Sequence, residues 1–113
     1  MLEYKDKHYY CPVELTMDLV GGKWKGVIIW YLKDSTMRYN ELKKKITTIS
    51  EKVLIKELRS LESDGIVSRK VYPEVPPKVE YSLTPYGKTL IPIFELISKW
   101  GNKHVELYGT LKE

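Results

Sequence analysis

Three cations on one stretch and a single thiol are the residues of this chain whose types and spacing could do chemistry. At about 100° per residue of helix, Lys52, Lys56 and Arg59 fall with Ser63 into one narrow sector, so that one face carries three positive charges. On a nucleic acid, Arg and Lys in that arrangement donate to guanine O6 and N7 or to phosphate oxygens. A solvated helix that merely keeps the chain soluble would carry the same charges, so its neighbours must decide. The thiol is Cys11, the one cysteine present. It stands just ahead of Pro12 and an expected helix start, with Lys5, Lys7 and His8 close in sequence; free helix amides and nearby cations favour a reactive thiolate. An inert, half-buried cysteine is the competing expectation. Having no second cysteine, the chain limits oxidation to a sulfenic acid, a mixed disulfide with a small thiol, or a bond between Cys11 of two copies.

Other chemistries find little support. One cysteine excludes an internal disulfide and a multi-cysteine zinc site, and His8 and His104 lie too far apart in sequence to chelate. There is no Gly-rich phosphate loop, no pair of carboxylates in an apolar setting and no nucleophile with an evident base, so neither catalysis nor a cofactor is expected. With 113 residues the chain fits one compact domain, and its net charge of +4 favours a polyanionic partner. No apolar run approaches the roughly 18 residues of a membrane span, and no secretory leader pattern opens the chain, which sets the expectation of a cytoplasmic protein.

The elements that must hold these residues can be read in order. Ser50 suits a helix cap, Asp64-Gly65 suits a stop, and Leu54, Leu58 and Leu61 make the apolar stripe between them. Two β-prone runs follow, Ile66 to Tyr72 and Val79 to Leu83, around a tip, Pro73 to Lys78, whose prolines cannot join a ladder. Val67, Val71 and Tyr81 are expected to pack inward. Arg69, Lys70 and Lys78 sit on or beside this hairpin, within reach of a phosphate strand or a minor groove. Ahead of it, Asn40 is the expected cap of a helix bearing Leu42, Ile46 and Lys43 to Lys45, with Met37 to Tyr39 extended before it. These pieces make a helix-turn-helix at about 40–64 and a wing at about 66–84.

Residues 1–10 read as a loose arm ahead of a domain spanning 11–108. A helix should run from Cys11-Pro12 through Leu15, Met17 and Leu19 to Gly21-Gly22, and another from about Lys23 to Leu32 with Trp24, Val27, Ile28 and Tyr31 buried. A last helical segment, about 85–108, should kink or restart at Pro92. Its stripe of Leu90, Ile93, Leu96, Ile97 and Trp100 exceeds what one small core needs, so these residues, with Leu15, are the expected dimer interface. Trp24, Trp30, Tyr31 and Tyr39 would line a small-molecule pocket or simply fill the core.

Taken together, Cys11-Pro12-Val13, Gly21-Gly22-Lys23-Trp24, Arg38-Tyr39-Asn40-Glu41-Leu42, Ile49 to Leu54, Leu61 to Val67, Pro76 to Gly87 and Trp100 resemble the HxlR family of bacterial winged-helix transcriptional regulators, relatives in architecture of the MarR group. The resemblance implies an α+β, mainly α, winged helix-turn-helix fold with N- and C-terminal dimerisation helices. It also implies a homodimer on double-stranded DNA, read by Arg38, Lys43, Ser50, Lys52, Lys56 and Arg59, with Arg69, Lys70 and Lys78 on the wing. Some members sense electrophiles or disulfide stress through a cysteine placed like Cys11, and an electrophile or other small molecule would then be the inducer. A protein-interaction module that offers the apolar C-terminal stripe to a partner, its basic face incidental, is the alternative.

Overall fold

The computed structural model describes residues 1–110, and its central helix shows how the sequence builds the rest. Helix α4, Glu51–Ser63, begins where the Ser50 hydroxyl accepts the Val53 amide at 3.2 Å and ends at Asp64, before Gly65 turns the chain with φ +75°. Leu54, Leu58 and Leu61 are fully buried on its inner face, each contributing about 1.5–3 kcal/mol of apolar burial. In front of α4, α3 (Tyr39–Lys45) buries Leu42, and the connection pins itself with Ile46 and Ile49, both inside the core. The N-cap of α3 is Arg38 rather than Asn40. The Glu41 carboxylate reaches back to accept the Arg38 amide at 2.8 Å, leaving Asn40 exposed in the first turn.

Strands β4 (Val67–Tyr72) and β5 (Lys78–Leu83) form the antiparallel hairpin, and β3 (Met37–Arg38) pairs on the far side of β5. Val67 and Tyr81 pack inward as expected, but Val71 is 53% exposed because the outer end of the hairpin extends past the helices that cover its base. Gly87, in the short α5 (Pro85–Lys88), is buried so closely on the Ile66 carbonyl that any Cβ would collide with it. The chain restarts at Thr89-Leu90, earlier than Pro92. That proline lies in the first turn of α6 (Ile91–Tyr108), where a missing amide costs no helical hydrogen bond.

Two further helices complete the core. Helix α1 covers Pro12–Val20 and α2 covers Lys25–Leu32. The buried residues of α2 are Ile28, Ile29 and Leu32, whereas Val27 and Tyr31, expected inside, lie at the surface. Leu15 is only partly buried. The first ten residues are not a loose arm. Strands β1 (Leu2–Tyr4) and β2 (Lys7–Tyr9) pair antiparallel across a two-residue turn in which Lys5 and Asp6 both have positive φ, and Tyr9 is buried. No helix among the described residues is long and apolar enough to cross a membrane.

Candidate nucleic-acid interface

With its leucines turned into the core, α4 leaves Lys52, Lys56 and Arg59 exposed on the opposite side, and Ser50 is exposed at its N-cap. Among the described residues none of Arg38, Lys43, Lys52, Lys56, Arg59, Arg69 and Lys70 forms an ion pair with a carboxylate. A face of unneutralised cations is what a phosphate backbone seeks, since each contact releases condensed counterions. Beside this face a cleft of about 610 Å³ separates α4 from the wing tip, with Arg38, Arg59, Arg69 and Lys78 on its walls and Tyr39, Ile55 and Tyr81 among its other lining residues. Burial pushes the Tyr81 hydroxyl up, the nearby Arg69 and Arg59 charges acting against that shift and the Glu62 charge adding to it.

The strand register divides the three wing cations between two faces. Arg69 stands opposite Tyr81 and so points to the helix side, whereas Lys70 opposite Glu80 and Tyr72 opposite Lys78 put both lysines on the outer side. There the two ammonium groups flank one ring, Lys70 Nζ at 4.8 Å and Lys78 Nζ at 4.5 Å from the centroid of Tyr72. Lys78 also pairs with Glu80 at 3.6 Å, both side chains being only 23% exposed. The Tyr72 hydroxyl, with Lys78 and Arg38 adding their charge, holds the Glu80 carboxyl below its usual range. Lys78 is therefore largely committed within the wing, and Lys70 is the freer of the two. Sequence reading missed Tyr72 as the organiser of this face, although its position two residues beyond Lys70 on a strand is the signal that places both on one side.

At the opposite end of α4 the N-terminal hairpin is tied down. Tyr4 donates its hydroxyl to Asp64 Oδ1 at 2.9 Å, and Lys5 Nζ lies 3.1 Å from the same oxygen and 2.7 Å from Ser63 Oγ. A cation there also suits the negative end of the helix. The hairpin is anchored to α1 as well, through Tyr9, whose hydroxyl donates to Asp18 Oδ2 at 2.6 Å, and Lys7, 3.8 Å from that carboxylate. Cys11, exposed at the N-cap of α1, is thus two residues from a hairpin that clasps the end of α4. The cations expected around the thiol have carboxylate partners elsewhere: Lys5 on Asp64, Lys7 on Asp18 and His8 within 3.5 Å of Glu3.

The hydrogen bond to Asp18 and, after it, burial push Tyr9 up to about 12. A raised tyrosine binds its proton more tightly when folded, so this anchor stabilises fully below pH about 10, where a free tyrosine ionises, and is lost as pH rises through 12. Thermal melts carried from neutral to strongly alkaline pH should show Tyr9→Phe starting less stable than the parent and losing less over that last interval. Parallel curves would mean that the anchor does not titrate.

On the far side of the molecule, α6 docks through Leu90, Ile91 and Phe94. Leu90, expected at a dimer interface, is therefore spent on the core. Ile93, Leu96, Ile97 and Trp100 are exposed by 47, 66, 55 and 71%, and on α1 it is Val13 and Met17, not Leu15, that face outward at 68 and 59%. Between α1, α2 and α6 lies an apolar hollow of about 500 Å³ lined by Met17, Trp30, Tyr31, Phe94 and Ile97. Trp30 and Tyr31 thus share a pocket, while Trp24 packs against the core and Tyr39 lines the cleft beside α4.

Comparison with known proteins converges on the same architecture. The profile of the HxlR-like helix-turn-helix matches residues 19–108. The HTH-type transcriptional regulator YdeP of Bacillus subtilis is 49% identical over 102 residues, covering 90% of this chain and 80% of its own length. Among solved structures, the redox regulator HypR in its reduced form superposes with a TM-score of 0.82 at 46% identity, covering 86% of this chain and 96% of that one. Its oxidized form gives 0.79 at 49% identity, covering 82% and 96%.

Proposed function

The chain belongs to the HxlR-like helix-turn-helix family of DNA-binding transcriptional regulators, and from that premise we propose that it acts as a cytoplasmic homodimer whose thiol, Cys11, answers oxidants or electrophiles. In this reading each copy lays α4 in a major groove and its wing over the adjoining backbone. The observation that carries it is the cationic outer face of α4, free of carboxylate partners among the described residues and continuous with the cleft that Arg38, Arg59 and Arg69 line together with Glu62 and Glu74. Lys52, Lys56 and Arg59 face the bases, Ser50 and Lys43 stand near the entry of α4, and Arg38, Arg69 and Lys70 hold phosphates. Lys78 acts chiefly by keeping Tyr72 and Glu80 in place.

A dimer is supported by the apolar surface that α6 and α1 leave uncovered, which would be costly in water and self-complementary about a two-fold axis. For the thiol, support comes from its exposure and from the hairpin, which joins the strand leading into Cys11 to the C-terminal end of α4. A group added at Cys11, or a bond to a partner's Cys11, would strain that connection. HypR, similar over most of the chain, has been solved as a redox regulator in two oxidation states.

The test is fluorescence anisotropy with DNA from upstream of the protein's own gene and with a scrambled duplex, across a salt series, using reduced and diamide-treated protein. Upstream-preferring binding that oxidation abolishes and Cys11→Ser preserves is the expected result. Preference that survives diamide would remove the thiol from the mechanism, and equal binding of both duplexes at every salt would remove the upstream region as the target.

A further inference from the structure

Isoleucine 55 is out of place on the surface it occupies. Among the described residues it is the only large apolar side chain exposed between Leu32 and Lys70, at 38%. The other exposed apolar residues lie on the N-terminal segment, on α1, α2, the wing, α5 and α6. Several of those face the surface proposed for the second copy. Ile55 lies on the helix proposed to enter the groove, one turn from its N-terminus, where recognition helices touch base edges. At about 100° per residue it stands roughly 40° from Arg59 and 60° from Lys52, on the side toward the wing. Its side chain helps line the cleft that also holds Arg38 and Arg59.

A branched aliphatic group bordered by cations has one natural partner in a major groove. Thymine alone presents a methyl group there, at C5, and that methyl is what an exposed aliphatic side chain can bury without leaving a polar base edge unsatisfied. Resting on the reading of α4 as the recognition helix, we infer that Ile55 is a specificity-determining residue that selects a thymine at one fixed position of each half-site by packing on its C5-methyl. Arg59 and Lys56 supply the polar readout beside it. Cytosine at that position would bring no methyl and would set an amino group against the aliphatic side chain.

Base surgery tests this. A preferred duplex is first selected from a randomised pool with the full-length protein, and then each thymine of one half-site is replaced in turn by uracil, which removes only the methyl. For the parent protein, one T→U change should weaken binding roughly fourfold, the worth of a buried methyl, and the others should have little effect. Ile55→Ala should bind the thymine and uracil duplexes equally at that position, and Ile55→Val should keep part of the difference. Ile55 is 38% exposed, so Ile55→Ala also removes some packed area, and Ile55→Val, which removes a single methylene, should melt close to the parent and keeps the comparison interpretable. If no thymine is sensitive, or if the sensitive one stays equally sensitive in Ile55→Ala, the inference is overturned even when Lys56→Ala loses its preference for the duplex. If selection yields no preferred duplex, the reading of α4 falls and the inference with it.

Discussion

Replacing Arg59 with alanine is expected to weaken binding to the preferred duplex about 5- to 150-fold, as the loss of a good base contact costs roughly 1–3 kcal/mol, while binding to scrambled DNA changes much less. Arg59 is exposed, and truncating it leaves the leucine face of α4 intact, so the loss should come without a change in stability. Lys70→Ala should behave differently. As a phosphate contact it should lower affinity for every sequence alike and flatten the dependence of log K on log salt by about one. Lys78→Ala should act more weakly on the salt slope, because its ammonium already lies against Glu80 and the Tyr72 ring. Anisotropy titrations of the three variants, with Lys88→Ala as a surface control, separate these cases. Equal affinities for Arg59→Ala and Lys88→Ala would show that α4 does not read bases.

The parts of this interface that were legible in the sequence are those whose signals are local. Ser50, the leucine spacing and Asp64-Gly65 define α4 within its own residues, and the proline tip separates β4 from β5. Helix α2 offered less: Val27 to Leu32 is apolar all round, so periodicity could not say that Ile28, Ile29 and Leu32 go inside and Val27 and Tyr31 stay out. The N-terminal hairpin was illegible for another reason. Its turn is Lys5-Asp6, without the glycine that usually accepts a positive φ, its strands are three residues long, and its anchors include Asp64, sixty residues away from Tyr4. Only tertiary contacts make that segment a hairpin. The surroundings of Lys78 were illegible likewise, because its charge was visible in the sequence but its pairing with Glu80 and Tyr72 depends on the register of two strands. Sites made of one element can be read from their spacing, whereas a cation's availability depends on what the fold sets beside it.

A glutamate at position 96 should have the largest effect of all on specific binding. Helix α6 attaches to its own core through Leu90, Ile91 and Phe94, so Leu96→Glu leaves the fold of the single copy untouched. Within a dimer that covers this apolar face the same change would bury a carboxylate from each copy in an apolar seam, at a cost that opposes association. The variant should therefore elute as a monomer by size-exclusion chromatography with light scattering where the parent elutes as a dimer. Its melting temperature should also lose the concentration dependence that a dimer imposes. Specific DNA affinity should then fall by about 100-fold or more, because the second half-site is no longer held at high effective concentration, while the affinity of one half-site for one copy persists. Trp100→Ala should shift the same equilibrium by a smaller amount, removing apolar area without adding charge. A Leu96→Glu protein that remained dimeric would move the interface off α6. A variant that became monomeric yet bound the duplex as before would show that a single winged helix suffices for recognition.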